Sequence, residues 1–190
     1  MWAGIDVGGR RKGFDIAIIS NDAVLRHLSR SQSPTEVVEI LLKHSPRLLG
    51  IDCPESPAGV GAKHRPCELL VNREVCGIRW TPDSATIGRN QDYYGWLSNG
   101  FELWNEVRAA GMNAVEVFPT ASWTIWNGRR GKASRSRWSR EGIAKLGVID
   151  LPTRMNQDER DAVASAWTAR MADLGQVAAA YEPIVIPLNV

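Results

Sequence analysis

Short apolar segments separated by turn residues occupy the first fifty positions of the chain. Residues 2–8 and 14–19 predict two strands, and the first of them ends at a pair of glycines. Residues 23–28 predict a third strand, and the three together are typical of an antiparallel meander. Residues 33–44 begin with a capping-box pattern and continue with an apolar run, which predicts a helix. The apolar residues 47–53 lie between two prolines and predict a buried strand parallel to the first.

The rest of the chain shows a less regular succession of helical and extended patterns. In chain order we predict a helix near 65–75, a loop over 77–96, a helix near 99–110, a strand over 113–118, a short helix that carries Trp123 and Trp126, a polar basic loop over 128–140, a helix from Asn156 and an edge strand over 184–187. We find no internal repeat and no Ser/Gly linker, so residues 1–190 are predicted to form a single domain. The expected fold class is α/β, with a mixed five-stranded sheet, an antiparallel meander plus parallel strands, flanked by helices.

The overall composition excludes several classes of protein. Hydrophobic residues make up 44% of the chain and charged residues 23%, which is ordinary for a soluble globular protein. The net charge of +2 excludes a protein that attracts nucleic acid over its whole surface. Three cysteines without Cys-x-x-Cys spacing argue against a disulfide framework and a zinc ribbon. No secretion leader is recognisable and no apolar stretch reaches the roughly 20 residues that cross a bilayer. We therefore expect a cytoplasmic protein without a membrane partner.

Four aspartates stand at positions where they could act together. Asp6 ends the first predicted strand and Asp52 ends the strand predicted to be its parallel neighbour. Sites in open α/β sheets form outside the carboxyl ends of the strands. Asp158 and Asp161 are three residues apart at the start of the last helix and so share one face of it. Clustered carboxylates offer the hard oxygen ligands that Mg²⁺ prefers, and two ions ~4 Å apart can clamp both oxygens of a reacting phosphodiester.

Each of these carboxylates also has a structural interpretation. Asp158 and Asp161 lie where acidic side chains favourably meet a helix dipole. Asp6, before two glycines, is also typical of a turn. Asp52 is harder to explain structurally, because a buried carboxylate without a partner is costly. Glu116, inside the Val-Glu-Val strand, points either into the same site or to solvent.

The order of these segments resembles the RNase H-like superfamily, and within it the RuvC-type resolvases, which close their site with an Asp-x-x-Asp pair on the final helix. More narrowly, the chain resembles the family known as domain of unknown function 429, described as predicted RNase H-like nucleases. The segments that carry the resemblance are Gly4-Ile5-Asp6, Ile51-Asp52-Cys53-Pro54, Arg65-Pro66-Cys67-Glu68, Glu116-Val117-Phe118-Pro119-Thr120-Ala121-Ser122-Trp123 and Asp161-Ala162. The resemblance implies a two-metal phosphodiesterase. Gln157 stands where the resemblance leads us to expect a histidine.

A basic segment follows the short tryptophan helix. Between residues 128 and 140 it holds six cations and no acid, and these are Arg129, Arg130, Lys132, Arg135, Arg137 and Arg140. Trp126 and Trp138 bracket it, a combination that favours phosphate contacts together with base stacking. A second basic group, Arg10, Arg11 and Lys12, follows Asp6 and is expected to reach phosphates on the other side of the site. The alternative for both groups is a solvated surface loop.

These observations lead to a hypothesis with two rivals. The hypothesis is a Mg²⁺- or Mn²⁺-dependent nuclease in which Asp6 bridges two ions, Asp52 and Asp161 each hold one, and Asp158 or Glu116 completes a ligand shell. One rival is a non-catalytic module of the same fold that binds nucleic acid or a protein. The other is an enzyme that acts on a small phosphorylated substrate at the same acidic site.

Overall fold

One mixed β-sheet with helices on both faces organises the computed structural model, which describes residues 1–189. In chain order the elements are β1 (Trp2–Val7), β2 (Phe14–Ile19), β3 (Leu25–Ser31), α1 (Pro34–His44), β4 (Leu48–Asp52), α2 (Pro66–Glu74), α3 (Ser84–Arg89), α4 (Gln91–Ala109), β5 (Ala114–Val117), α5 (Pro119–Asn127), α6 (Arg135–Lys145), α7 (Gln157–Asp173), β6 (Val177–Ala178) and β7 (Ile184–Pro187). The predicted α/β class, with a meander followed by parallel strands, is confirmed. Among the described residues no helix is long and apolar enough to cross a membrane.

The sheet has seven strands within residues 1–189, in the order β3-β2-β1-β4-β5-β7-β6, and not the five that were predicted. The meander strands β1, β2 and β3 pair antiparallel, whereas β1, β4, β5 and β7 run parallel. The strand predicted at the edge, β7, lies inside the sheet, and the two-residue β6 pairs antiparallel with it to form the edge. A strand of two residues is too short to produce an alternating pattern, so the sequence did not reveal it.

Three further segments differ from their prediction. The third strand, predicted over residues 23–28, is β3 and lies at Leu25–Ser31. The predicted loop 77–96 contains α3 and the start of α4, and α3 has one buried residue and therefore no readable periodicity. The basic loop enters α6 at Arg135, because the side chain of Ser134 caps the helix by accepting a hydrogen bond from the backbone N–H of Arg137 (3.2 Å).

The two faces of the sheet carry two separate apolar layers. On one side, alternate residues of β1 such as Ile5 and Val7 pack with α1 and α4. On the other side, α5, α6 and α7 cover the sheet with a layer that includes Trp123 and Ala166. The result is a three-layer α/β/α arrangement in which α7 lies against β1, β2 and β4.

Candidate active site

Two aspartates lie side by side at the carboxyl ends of neighbouring parallel strands. Asp6 at the end of β1 is the register partner of Asp52 at the end of β4. On its other side, Asp6 is paired in antiparallel register with Asp15 of β2. Since a β-strand directs alternate side chains to one face, these paired positions present three carboxylates on the same side of the sheet.

Helix α7 brings the remaining two aspartates to this place. It begins at a capping box, in which the side chain of Asn156 accepts hydrogen bonds from the backbone of α7 and Glu159 accepts one from the backbone of Asn156. The helix then crosses β1 and β4 at two glycines. A Cβ atom on Gly4 would lie 2.1 Å from the carbonyl oxygen of Ala162, and one on Gly50 would lie 2.3 Å from that of Ser165. The absence of side chains at both positions therefore allows α7 to approach the strand backbones directly.

Asp161 is the most enclosed of the acidic residues, with 1% of its surface exposed. Its carboxylate accepts hydrogen bonds from Trp123 Nε1 (2.7 Å), Gln157 Nε2 (2.9 Å) and an Arg135 guanidinium nitrogen (2.8 Å). Burial raises the pKa of Asp161, while the Arg135 charge and these hydrogen bonds lower it. Gln157, at the position where a histidine was expected, thus donates a hydrogen bond that orients this carboxylate.

The negative charges of Asp6 and Asp52 are poorly compensated. Burial and the neighbouring charge of Asp161 raise the pKa of Asp6 to about 7, against the opposing effect of Lys12. The pKa of Asp52 is raised well above its ordinary value by burial and by the charges of Asp6 and Asp161. Carboxylates so close together resist ionisation unless a cation joins them.

A second acidic group shares Asp6. Carboxylate oxygens of Asp6, Asp15 and Asp158 all lie within 4.8 Å of one another. The ammonium of Lys12 lies 2.7 Å from Asp158 and 3.8 Å from Asp6. Arg30 donates to both oxygens of Asp15 and reaches Asp158 at 3.5 Å. Two side chains of this chain therefore supply positive charge on this side of Asp6.

Sequence reasoning missed Asp15 and Arg30. The available signal was a carboxylate in the apolar run Phe14–Ile19, where an unpaired acid is costly. Its partner could not be read from the sequence, because the Asp15–Arg30 contact depends on the register between β2 and β3.

Glu116, an expected metal ligand, lies in a separate network. Its two carboxylate oxygens accept hydrogen bonds from the Arg65 guanidinium at 2.7 and 2.5 Å, and one of them also accepts from the backbone N–H of Glu55. Arg65 in turn donates to Glu68 at 3.0 Å, and Glu68 accepts from the backbone N–H of Thr81. The structure does not bring Glu116 into the aspartate cluster. It shows instead that Glu116 connects the sheet to two segments, the one that follows β4 and the one that leads into α2.

The aspartates open into a cleft of about 1230 Å³. Asp6, Asp52, Asp158 and Asp161 line it together with eight cations, Arg10, Arg11, Lys12, Arg65, Arg79, Arg129, Arg130 and Arg135. Cations that can contact phosphates, placed next to a cluster of acids, form the charge pattern expected of a site for a nucleic-acid backbone.

Three members of the predicted binding set lie differently from the expectation. Lys132 and Arg137 do not line this cleft, and Arg137 pairs with Glu141 at 2.8 Å on the exposed side of α6. Trp138 touches the cleft, but its ring is 4% exposed within the apolar layer beneath α6, and its Nε1 donates to the carbonyl oxygen of Gly128. Trp138 is a core residue in this arrangement rather than an exposed stacking surface. Trp126 is equally buried.

The donor set fits a divalent ion with hard character. Among the described residues, the acids whose carboxylate oxygens lie within 4.8 Å of one another are Asp6, Asp15 and Asp158, and Asp52 is the strand neighbour of Asp6. The raised pKa values of Asp6 and Asp52 point in the same direction, because a cation bound between them would relieve the repulsion that raises them. Mg²⁺ and Mn²⁺ both meet these requirements.

Comparison with known proteins identifies a family and solved structures of similar fold. A family model described as "Protein of unknown function (DUF429)" matches residues 4–185. No protein in the curated comparison matches the chain. Among solved structures, RuvC of Thermus thermophilus is 16% identical with a TM-score of 0.50, and 98% of each chain is covered. RuvC of the same organism in complex with a Holliday junction substrate is 15% identical with a TM-score of 0.52 and the same coverage. At this identity the likeness establishes the fold, which is RNase H-like as predicted.

Proposed function

The chain belongs to the DUF429 family, whose description names no function, and we propose from its site that it is a metal-dependent nuclease that hydrolyses phosphodiester bonds. One observation carries the proposal. Asp6 and Asp52, two poorly compensated carboxylates, stand with Asp161 inside a cleft that is otherwise rich in arginine. The solved relative that holds a Holliday junction substrate is a nucleic-acid-binding protein of the same fold, which supports the choice of substrate class.

The proposed ligands for Mg²⁺ or Mn²⁺ are Asp6, Asp52 and Asp161, with Asp158 completing the set. Asp6 adjoins both acidic groups and would therefore contribute to holding an ion in either of them. Glu116 is left out, because its carboxylate belongs to the separate network of Arg65 and Glu68. When bound, divalent ions supply an activated water and positive charge beside the departing oxygen.

The residues of the chain have separate tasks in this proposal. Trp123, Gln157 and Arg135 hold the carboxylate of Asp161 in one orientation, so that the ligand set is arranged before substrate arrives. Arg129 and Arg130 on one part of the cleft wall bind backbone phosphates, as do the cations that follow β1. These contacts position the strand and carry no sequence information.

The test is cleavage of a labelled panel of DNA, RNA, hybrid and branched substrates in the presence of Mn²⁺ or Mg²⁺. We expect metal-dependent cutting by the unmodified protein and a loss of at least about a hundredfold in Asp6→Asn and in Asp161→Asn. The matched control is Asp22→Asn. Asp22 is an exposed aspartate in the turn between β2 and β3, and it pairs with Arg26 of β3. Equal cutting by Asp6→Asn and the unmodified protein would overturn the mechanism.

A non-catalytic nucleic-acid-binding module is the second candidate, and a specific observation favours it. Lys12, Arg30 and Arg135 already pair with four of the five aspartates, all except Asp52, which lowers the demand for metal. This candidate predicts nucleic-acid binding that is independent of metal, with no cleavage. An enzyme for a small phosphorylated molecule has less support, because the cleft of about 1230 Å³ exceeds the roughly 300–1,000 Å³ of most small-ligand sites.

A further inference from the structure

A second cavity lies where α6 meets the start of α7. Its volume is about 370 Å³, and it is lined by Ser136, Arg140, Thr153, Arg154, Met155, Asn156 and Arg160. Three of these residues are arginines, and among the described residues that line the cavity there is no carboxylate. The lining therefore combines positive charge with hydroxyl and amide groups.

Arg160 is the unusual member of this lining, because it is a buried cation without a carboxylate partner. Only 3% of its surface is exposed. Its guanidinium donates to Ser139 Oγ (2.8 Å), Gln157 Oε1 (3.2 Å), Ser136 Oγ (3.4 Å) and the carbonyl oxygen of Met155, and all four of these oxygens are neutral. A buried charge that is hydrogen-bonded but has no counter-ion is costly.

The neighbouring charges add to this imbalance. Two further arginines, Arg140 and Arg154, line the same cavity as Arg160. Arg140 is exposed and donates only to a backbone carbonyl, that of Ser136. Arg154 is also exposed.

The nearby acids are each occupied by other groups. Glu159 accepts a hydrogen bond from the backbone N–H of Asn156 at 2.6 Å. Asp158 pairs with Lys12, and Asp161 pairs with Arg135. The positive end of the α7 dipole is directed toward the same region. The cavity therefore has a net positive environment that an anion would neutralise.

We propose that this cavity binds a phosphate group. Guanidinium groups match phosphate oxygens with paired hydrogen bonds, and hydroxyl and amide donors complete the contacts of a tetrahedral anion. The group comes either from the backbone of a bound nucleic acid or from a free phosphorylated molecule. For the nucleic-acid source the inference rests on the proposed function. Gln157, which lines the aspartate cleft, accepts a hydrogen bond from Arg160 at 3.2 Å and so connects the two cavities.

The experiment compares the unmodified protein with Arg140→Ala/Arg154→Ala and with the control Arg73→Ala, an exposed arginine on α2 that pairs with Glu74. Both cavity arginines are exposed, so their removal leaves the core intact. Fluorescence anisotropy without metal measures binding of a labelled 20-nucleotide strand at several salt concentrations. Calorimetry measures binding of inorganic phosphate and pyrophosphate.

If the phosphate comes from nucleic acid, the double variant binds the strand about tenfold more weakly, and its salt dependence falls by roughly 0.7 per lost contact. If it comes from a free molecule, strand affinity is unchanged and saturable phosphate or pyrophosphate binding disappears in the double variant alone. Unchanged binding of all three probes would overturn the inference. Cleavage assays distinguish the failure of the two proposals. If the unmodified protein cuts no substrate but the double variant shows either loss of binding, the anion cavity is supported and the nuclease proposal fails.

Discussion

Asp6 occupies the point where the two acidic groups meet, and its protonation reports the charge state of the whole site. Asp52 and Asp161 stand on one side of it, and Asp15 and Asp158 on the other. Its pKa of about 7 means that the folded chain holds a proton there that the unfolded chain releases near pH 4. The free energy of unfolding therefore depends on pH through this residue.

The sign of that dependence follows from proton binding. Between about pH 4 and pH 7 the folded state binds more protons at Asp6 than the unfolded state, so stability falls as pH rises. The shift corresponds to roughly 4 kcal/mol of the free energy of unfolding. This contribution is present in full below pH 4 and is lost as the pH rises past 7. We expect Asp6→Asn to flatten the curve of melting temperature against pH in EDTA, and Mg²⁺ to stabilise the unmodified protein most at pH 8. Parallel curves for the two proteins would contradict this assignment.

Glu116 supports the structure in a different way. Its pairing with Arg65 is buried, and breaking a buried pair costs about 3–5 kcal/mol. We expect Glu116→Gln to lower the free energy of unfolding by this order while the affinity for Mn²⁺ stays within about twofold of normal. Denaturant unfolding and calorimetric Mn²⁺ titration check the two parts. A large loss of Mn²⁺ affinity at unchanged stability would return Glu116 to the ligand set.

Parts of the site were readable from the sequence because they depend on local signals. Asp6 and Asp52 close apolar runs at Gly8 and Pro54, and the start of α7 at Asn156 carries a capping pattern. The partners of these residues were not readable. The contact between Arg65 and Glu116 joins residues that are distant in the sequence, and only the folded chain brings them together.

At the scale of elements, the position of α7 decides the geometry of the site. The helix contacts β1, β2, β4 and β5, and it is buried along most of its length. Its axis can lie this close to the sheet only because β1 and β4 have glycine at the crossing points. The close backbone approach of α7 therefore places Asp161 on the same side of the sheet as Asp6, without requiring a long side chain.

A methyl group at one of these glycines tests the arrangement. In Gly4→Ala the new Cβ would meet the backbone of Ala162 and Ala166 at 2.1 Å, so the helix must move. We expect a loss of about 3 kcal/mol or more in stability and a Mn²⁺ affinity at least about tenfold weaker. Gly88→Ala is the matched control, since nothing lies within 4 Å of its Cβ. A Gly4→Ala protein with normal stability and normal Mn²⁺ binding would show that close docking is unnecessary.

The element boundaries that sequence missed share a physical cause. Helix α3 and strand β6 are too short to repeat an apolar pattern, and α6 begins inside a run of cations that resembles a solvated loop. The helices and strands with clear caps or proline boundaries, such as α1 at Ser33 and Pro34, began where the sequence indicated. Local signals thus define elements with clear caps well and short, charged or uncapped ones poorly, as the missed start of α4 at the uncapped Asn90 also shows.

Across the whole molecule, the local distribution of charge matters more for binding a polyanion than the net charge does. A net charge of +2 provides little attraction for a polyanion, yet eight cations line one cleft. Binding to nucleic acid is therefore expected to depend on that cleft and to weaken steeply with salt.

Substitution of two wall residues tests this expectation. We expect Arg129→Ser/Arg130→Ser to weaken binding of a single strand and to reduce the slope of log K against log salt by about 1.4, or ~0.7 for each lost phosphate contact. Lys43→Ala, an exposed lysine at the end of α1, serves as the control. Anisotropy titrations in the absence of metal measure both quantities. An unchanged slope in the double variant would place the strand elsewhere on the surface.

The late position of α7 in the chain has a consequence during synthesis. A growing polypeptide that has reached β5 already contains Asp6, Asp15 and Asp52, but it lacks the helix that carries Asp158 and Asp161. The proposed nuclease site thus cannot assemble on a nascent chain until α7 has emerged from the ribosome and docked over Gly4 and Gly50. An unfinished chain therefore lacks the complete set of carboxylates proposed for the nuclease.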